Sequence, residues 1–591
     1  MTRRGLASWR GPAGAAAVAV LLVAAVVRGR LLAGSYFNQD DFYMTGRAYE
    51  ADLTWEYLVR DFAGHVNPLQ QLSLWLVAHL APYRWPVLAA AILLVVTTAN
   101  VLVWLILTRL LGDRWVRVPL LAVFAWAPLT LPSTLWWSAS MFLWPHVLCS
   151  LAAVWLLVRW RQGGGRGLPE LIGIVLVTLV GLLWHERAVL MPPLLFGVAV
   201  ALADEAAGRR RLGAALRRFR WLWFGLVVDL AGFLVFHALL TEVEGGGGSL
   251  RQQLEVSWSF VGRSVVPGLA GGPWTGRLEG GAVVPATWVT VTSLGLAVVV
   301  VGFLLLRGGP ARRWALAVLV GYVGADLALL LSGRAAFGQI IGLDPRYSSD
   351  TVHAAVVCVA LALRGSPARF GLAPSTWQRL RLPGVAAAVV GYGVAAGFGT
   401  ALLVPHFQNT QDREFLTNLR AELAADPRQV LYDDLAPAEL VLPLVGDDSR
   451  YSHILAPLPE RPAFDEPSPY LRVVDRRGRL VPVDLAGGIG ARPGPDGECG
   501  HAVTPRGARV RFPLPLDGRV VVRLRYFAQR EATVEVSVDT WDAEFLARPG
   551  PNQVWLVLPD TDGLVRTLTL QGDGRSVVCV TDADAGLPEA P

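Results

Sequence analysis

Residues 12–41 read PAGAAAVAVLLVAAVVRGRLLAGSYFNQDD, a mostly apolar run followed by two adjacent acids, Asp40 and Asp41. A helix that crosses a bilayer needs about 20 predominantly apolar residues, so residues 12–33 are predicted to span a membrane. Clustered charge beside a membrane is tolerated only where it faces protein or water, which makes such a pair a candidate site. The sequence therefore predicts a membrane protein with a polar site just beyond its first span.

The same criterion finds apolar segments along the first two thirds of the chain. Of 591 residues, 53% are hydrophobic and 17% are charged, which fits a membrane protein joined to a soluble region. The predicted fold class is a polytopic α-helical membrane protein with about eleven transmembrane helices. The predicted spans are 12–33, 86–108, 118–133, 142–158, 168–184, 188–203, 221–241, 287–306, 314–333, 351–364 and 383–404.

The arginines predict the orientation of these spans. All 53 basic residues are arginine. With the N-terminus in the cytoplasm, the cytoplasmic segments hold 22 arginines and 4 acids, whereas the outer segments and span edges hold 11 arginines and 13 acids. This asymmetry is typical of the positive-inside rule, and it predicts a multi-pass protein of the plasma membrane. No basic groove is combined with stacking aromatic residues, so a nucleic-acid partner is not expected.

An odd number of spans leaves the C-terminal region outside the cytoplasm. We predict a transmembrane domain over 1–404, a connecting α/β region over 405–470 and a β-sandwich over 471–591. The sandwich is indicated by alternating, β-branched runs separated by Gly, Pro and Asp turns. In an extracytoplasmic domain, Cys499 and Cys579 can form a disulfide, although the sequence does not decide whether they do. The predicted strands include 471–474, 520–526, 532–538 and 554–558.

The outer segments hold an unusual set of polar residues. Arginine is well suited to phosphate, because its guanidinium matches phosphate oxygens, and a carboxylate can act as a general base. Asp, Glu and His side chains could also bind a divalent cation, but no metal-ligand spacing is visible, so metal dependence stays open. The candidate residues are Asp40, Asp41, His65, Trp136-Trp137-Ser138, His185-Glu186-Arg187 and Arg346-Tyr347.

Each candidate also has a purely structural interpretation. Asp40 or Asp41 could cap the following helix, and His65 could be a turn residue before Asn67-Pro68. The Trp136-Trp137 pair could belong to an interfacial aromatic belt, and Arg346 could extend to the interface as an anchor. The His185-Glu186-Arg187 hairpin could simply be solvated. Asp229 and Asp326 lie inside predicted spans, where acids are either functional or paired within the bundle.

Taken together, these motifs resemble those of GT-C-type glycosyltransferases. The resemblance rests on the Asp40-Asp41 pair in the first outer loop, His65-Val-Asn-Pro68 before the second span, Trp184-His-Glu-Arg-Ala188 and a late Arg346-Tyr347. It covers roughly residues 12–404. More narrowly, the chain is similar to actinobacterial membrane proteins related to protein O-mannosyltransferases and arabinosyltransferases. The tail resembles carbohydrate-binding sandwiches in architecture only.

The resemblance implies a polyprenyl-phosphate-linked sugar as donor and a cell-envelope glycan, lipid or protein as acceptor. Asp40 would be the general base and Asp41 would orient it or help to hold a metal, with the two roles interchangeable. Arg346 and Arg187 would stabilise the departing lipid phosphate, while His65, His185, Glu186 and Tyr347 would complete the donor pocket. Two other functions stay open, a transporter or flippase of lipid-linked glycans and a non-catalytic envelope scaffold.

Overall fold

The structure is a computed structural model of the chain, and it falls into two compact units. Unit 1 comprises Met1–Asp41 and Ala51–Thr410, and unit 2 comprises Phe42–Glu50 and Gln411–Pro591. Unit 1 is mainly helical, with one antiparallel pair of strands, β1 (Gly276–Glu279) and β2 (Ala282–Pro285), and unit 2 contains the other strands that the structure describes. The structure describes residues 9, 11–62, 64–163, 167–203, 210–241, 248–306, 309–364, 374–539, 541–560 and 565–591.

The helices of nine or more residues are numbered α1 to α16 in chain order. They are α1 (Pro12–Gly34), α2 (Asp40–Glu50), α3 (Pro68–Leu80), α4 (Trp85–Leu111), α5 (Arg117–Trp126), α6 (Trp137–Gly163), α7 (Leu168–Trp184), α8 (Met191–Ala201), α9 (Arg210–Arg218), α10 (Arg220–Leu240), α11 (Leu250–Trp258), α12 (Thr287–Leu306), α13 (Pro310–Arg334), α14 (Thr351–Leu363), α15 (Pro374–Phe407) and α16 (Thr410–Ala425).

The helices bear out a polytopic membrane fold. Within the described residues, seven helices are long and apolar enough to cross a membrane, namely α1, α4, α6, α10, α12, α13 and α15. Helices α5, α7 and α14 are apolar but shorter, and α8 follows a 3-10 turn over Glu186–Leu190. All eleven predicted spans therefore fall on helical segments. How many of them cross the bilayer, and in which direction, stays a prediction.

The predicted span 118–133 is wrong as a continuous helix. Helix α5 ends at Trp126, and the chain continues through a 3-10 turn over Pro128–Thr130 and a short helix over Pro132–Leu135. Proline has no N–H to donate, and its ring disfavours the α conformation of the preceding residue. Pro128 and Pro132 therefore break the helix, although the segment is apolar throughout.

Arg28 in α1 binds the irregular segment that follows α5. The side chain is buried, and its guanidinium donates hydrogen bonds to four oxygens. The acceptors are the carbonyls of Ala125 (3.3 Å) and Ala127 (3.4 Å) and the hydroxyls of Thr130 (2.6 Å) and Thr134 (3.0 Å). Backbone N–H groups satisfy carbonyl oxygens in a regular helix. In this interrupted segment, the guanidinium of an arginine from another predicted span supplies hydrogen bonds instead.

Unit 2 contains the predicted β-sandwich. One sheet has the strand order β13 (Gly550–Val557), β10 (Val521–Ala528), β15 (Val578–Glu589) and β7 (Asp484–Gly490), with β8 (His501–Val503) also paired to β15. The second has the order β12 (Trp541–Ala547), β11 (Ala532–Val538), β14 (Val565–Gly572) and β9 (Ala508–Leu516). Alternate residues of both sheets form one buried core, as the period of two predicts.

A smaller sheet packs on the sandwich. Its order is β4 (Ala463–Phe464), β3 (Val430–Leu431), β5 (Leu471–Val474) and β6 (Leu480–Pro482). Leu471 and Val473 pack against Val521 and Trp555, which point outward from the larger sheet. These outward residues are apolar because the small sheet covers them. Cys499 and Cys579 form a disulfide, which settles the pairing that the sequence left open.

Candidate functional site

The two aspartates at the start of α2 have different surroundings. Asp41 is fully buried, and both carboxylate oxygens accept backbone hydrogen bonds, from Ser138 N–H (2.8 Å) and Asn38 N–H (3.0 Å). Burial raises the pKa of Asp41 to about 7, although these donors favour the charged form. Gln39 before the pair has φ 31°, a strained value for a residue with a side chain. Asp41 therefore attaches the start of α2 to the start of α6.

Asp40 is partly exposed and lies beside two arginines. Its carboxylate has no hydrogen bond from any residue in the described part of the chain. Burial raises the pKa of Asp40 above its ordinary value, and the nearby Arg346 and Arg334 act in the opposite direction. Neither aspartate caps α2, because the N-cap residue is Gln39 and it makes no side-chain cap. The capping interpretation is therefore wrong, and Asp40 is the carboxylate available to a ligand.

Arg346 is held by an acid and by a tryptophan ring. Its Nε and Nη2 donate to the Asp344 carboxylate at 2.9 and 2.6 Å, and its guanidinium lies 4.1 Å from the centre of the Trp136 ring. Trp136 and Trp137 are both buried, with 5% and 3% of their surface exposed. The structure thus contradicts both the interfacial-belt interpretation of the tryptophans and the anchor interpretation of Arg346.

Arg334, at the end of α13, is a site residue that sequence reasoning missed. Its Nη1 donates to the Tyr347 hydroxyl, its Nη2 lies 2.6 Å from Nε2 of His65, and its guanidinium is 5.2 Å from the centre of the Tyr347 ring. Within the described ranges it forms no ion pair with a carboxylate. In the sequence it is a single arginine at the end of an apolar segment with no motif around it, and only its contacts with His65 and Tyr347 in the structure mark it as a site residue.

Glu186 joins the hairpin after α7 to His65. Glu186 Oε1 lies 2.9 Å from His65 Nδ1, and Glu186 Oε2 lies 3.7 Å from His185 Nδ1. Burial lowers the pKa of His185 to about 3, and its Nδ1 accepts a hydrogen bond from the Arg187 N–H at 2.9 Å. The hairpin is therefore not merely solvated, because Glu186 orients the histidine that contacts Arg334.

Arg187 is buried among acids. Its Nη1 donates to Asp350 Oδ1 (3.0 Å) and to the carbonyl of Tyr347 (2.6 Å), and lies 3.3 Å from Asp326 Oδ1. The Tyr322 hydroxyl donates to the other oxygen of Asp350 at 3.0 Å. Arg187 holds the pKa of Asp350 below its ordinary value, although burial acts to raise it. Two carboxylates already neutralise this arginine, so it positions the loop rather than facing an anion.

The structure brings together, directly or through one neighbour, the eight residues to which the sequence assigned a catalytic or donor-binding role. Asp41 contacts α6, Asp40 lies within electrostatic range of Arg346 and Arg334, and Glu186, His65, Arg334 and Tyr347 form a continuous chain of contacts. Asp326 joins the site through Arg187, whereas Asp229 in α10 does not. Besides Arg334, sequence reasoning missed His146 of α6, whose Nε2 lies 3.7 Å from Asp350 Oδ2.

No metal centre is visible among the described residues. No group of three or more His, Cys, Asp or Glu side chains there is arranged to hold a metal ion. The acids of the site are instead engaged by arginines, histidines or backbone N–H groups, except for Asp40. The arrangement is that of a carboxylate beside guanidiniums, which suits a proton-accepting group next to an anion.

The chain was compared with known proteins and structures. No protein-family model matches it, and no curated protein matches it. Among solved structures, it is similar to the arabinofuranosyltransferase AftD from Mycobacteria, with 12% sequence identity and a TM-score of 0.35. The match covers 96% of this chain and 61% of that chain, so this chain spans less than two thirds of that enzyme's length. At that TM-score the similarity does not establish a shared fold.

Proposed function

We propose that this protein is a membrane glycosyltransferase that uses a polyprenyl-phosphate sugar as donor. The sugar would be transferred with inversion to an extracytoplasmic glycan, lipid or protein. The observation that carries the proposal is the position of Asp40, a partly exposed carboxylate beside Arg334 and Arg346. A general base next to anion-binding cations is what a hydroxyl needs in order to displace a phosphate.

In the proposed reaction, Asp40 accepts the proton of the acceptor hydroxyl. The hydroxyl oxygen forms a bond to the anomeric carbon while the bond from that carbon to the phosphate oxygen breaks. The electron pair of the broken bond stays on the departing lipid phosphate. We assign the main charge-stabilising role to Arg334, because the Asp344 carboxylate already accepts hydrogen bonds from both Nε and Nη2 of Arg346. Asp41 is assigned a positioning role, since its two oxygens are occupied.

The remaining predicted residues support this centre rather than reacting. Glu186 and His65 hold Arg334, and Tyr347 contacts the same guanidinium with its hydroxyl and its ring. Arg187 holds the Tyr347 backbone, which fixes the loop that carries Arg346. Such supporting contacts fix the distances and angles between the reacting groups, and stabilisation of the transition state depends on that geometry.

The test is complementation of a deletion strain, read as the glycan profile of the cell envelope. Wild type is expected to restore a missing glycan, and Asp40→Asn is expected not to, at equal protein level. Asp52→Asn is the matched control, because Asp52 is an exposed acid shortly after the same helix. Full restoration by Asp40→Asn would show that this carboxylate is not the base. A deletion strain with an unchanged envelope would count against the transferase function itself.

A further inference from the structure

An open apolar groove lies between α8 and α13. It has a cavity volume of about 270 Å³, and its walls include Phe196 and Val200 of α8 and Trp314 and Val318 of α13. Along α13 the lining runs from Trp314 to Ala325, a rise of about 16 Å at 1.5 Å per residue. That is about half of the roughly 30 Å hydrocarbon core, the depth of one leaflet. The dimensions fit one lipid chain.

The outer end of the groove is unsuited to an anion. Tyr322, which lines the groove there, donates to Asp350, and Arg187 beside it is shared between Asp350 and Asp326. These two acids outnumber the single guanidinium. A negatively charged headgroup at this end would lie against buried carboxylates, which is unfavourable.

The opposite end of the groove is strongly basic. Leu212, which lines it, belongs to α9, a nine-residue helix with the sequence RRLGAALRR. Arg210, Arg217 and Arg218 are exposed and form no ion pair with a carboxylate in the part of the chain that the structure describes. The arginine distribution of the whole chain predicts that α9 lies on the cytoplasmic face. A basic helix at that face attracts anionic lipid by about 1 kcal/mol for each arginine near the surface.

We propose that this groove binds one acyl chain of an anionic phospholipid from the cytoplasmic leaflet, with its phosphate at the arginines of α9. The inference relies on the predicted orientation and is independent of the glycosyltransferase proposal. The occupant is a membrane phospholipid rather than the sugar donor, because the charge at the outer end disfavours a phosphate there.

Two glycines of α13 provide a matched pair of variants. A Cβ added at Gly321 or at Gly324 meets no atom within 4 Å, so both positions have open space where a side chain would begin. Gly321 lines the groove, whereas Gly324 does not. Gly321→Leu is therefore expected to fill the groove, and Gly324→Leu controls for added bulk on the same helix.

The experiment is native mass spectrometry of the full-length protein in detergent, titrated with phosphatidylglycerol or phosphatidylcholine. Wild type is expected to bind one phosphatidylglycerol more tightly than phosphatidylcholine. Gly321→Leu should weaken phosphatidylglycerol binding at least fivefold and Gly324→Leu should not, while the Arg217→Gln/Arg218→Gln double variant should lose about fivefold per arginine. Equal affinity of wild type for both lipids, or equal behaviour of the two leucine variants, would overturn the proposal. So would unchanged phosphatidylglycerol binding by the double variant.

Discussion

At the scale of single residues, the two adjacent aspartates should respond differently to the same substitution. Asp40→Asn is expected to reduce sugar transfer by about 10²–10⁴-fold, the usual contribution of a general base, without changing Tm. Asp41→Asn should lower Tm, because the new amide NH₂ would face a backbone N–H and leave a buried donor unsatisfied, costing about 1–3 kcal/mol. Thermal unfolding and a transfer assay on both variants check this. Loss of stability in Asp40→Asn instead would reverse the assignment.

Arg334 should affect both donor binding and pH dependence. Arg334→Gln removes a charge-assisted contact to the departing phosphate worth about 1.5–3 kcal/mol, so kcat/KM for the proposed lipid donor should fall about 10–100-fold. Arg334 also acts to lower the pKa of Asp40, so its removal should raise that pKa. Because the base must be deprotonated, the acidic limb of the kcat–pH profile should move to higher pH. The control is Arg60→Gln, an exposed arginine; a similar shift there would point to a general surface-charge effect.

The site residues could be predicted from sequence where a short motif places charged residues directly beside an apolar span. Asp40-Asp41, Glu186-Arg187 and Arg346-Tyr347 stand out because charge is rare beside apolar spans. Which arginine faces the ligand and which one has a structural role could not be predicted, since this depends on which guanidinium is paired with an acid in the folded protein. Asp344 and Asp350 contact arginines 2 and 163 positions away in sequence, and no local pattern indicates the longer pairing.

At the scale of secondary structure, Arg28 should be critical for the attachment of α1 to the segment after α5. Arg28→Leu keeps an apolar span but removes all four hydrogen bonds to Ala125, Ala127, Thr130 and Thr134. Ala127 O keeps hydrogen bonds from Thr130, and Thr134 Oγ1 keeps one from Trp144 Nε1. The variant therefore leaves Ala125 O and Thr130 Oγ1 without a donor among the described residues, and at about 1–3 kcal/mol for each buried acceptor we expect a net loss of about 3 kcal/mol. The measurement is thermal unfolding in detergent, with Arg30→Leu as the control on the same helix. Equal Tm values for the two variants would contradict the role of Arg28.

Helix positions followed from the sequence better than helix continuity did. Apolar length locates α1, α4 and α12 almost to the residue, because a membrane leaves few alternatives to a helix. It fails for 118–133, where Pro128 and Pro132 interrupt an apolar segment whose free backbone groups are satisfied by a distant arginine. The hydrophobicity of a segment predicts that it lies in the membrane or in the protein interior. It does not show whether the backbone of that segment forms one continuous helix.

At the scale of the whole molecule, the orientation of unit 2 can be tested through its disulfide. If residues 405–591 are extracytoplasmic, a membrane-impermeant maleimide added to intact cells should not label this protein until a membrane-impermeant reductant has opened the disulfide. Cys499 and Cys579 should then react, whereas Cys149 and Cys358 lie within helices and should not. The Cys499→Ser/Cys579→Ser variant is expected to remain unlabelled. Labelling that requires cell lysis would place unit 2 on the cytoplasmic side.

The acids around the proposed donor site imply that binding of the donor is coupled to the uptake of protons. The site's carboxylates outnumber its guanidiniums, since Asp40, Asp41, Glu186, Asp326, Asp344 and Asp350 accompany Arg187, Arg334 and Arg346. A phosphate that enters a site with more carboxyl groups than guanidiniums should favour the protonated form of those carboxyl groups, so protons are expected to be taken up on binding and donor affinity should fall as pH rises. The base, by contrast, works only after losing its proton. These opposing requirements predict a pH optimum for the proposed transfer reaction, and calorimetry in buffers of different ionisation enthalpy would count the protons exchanged.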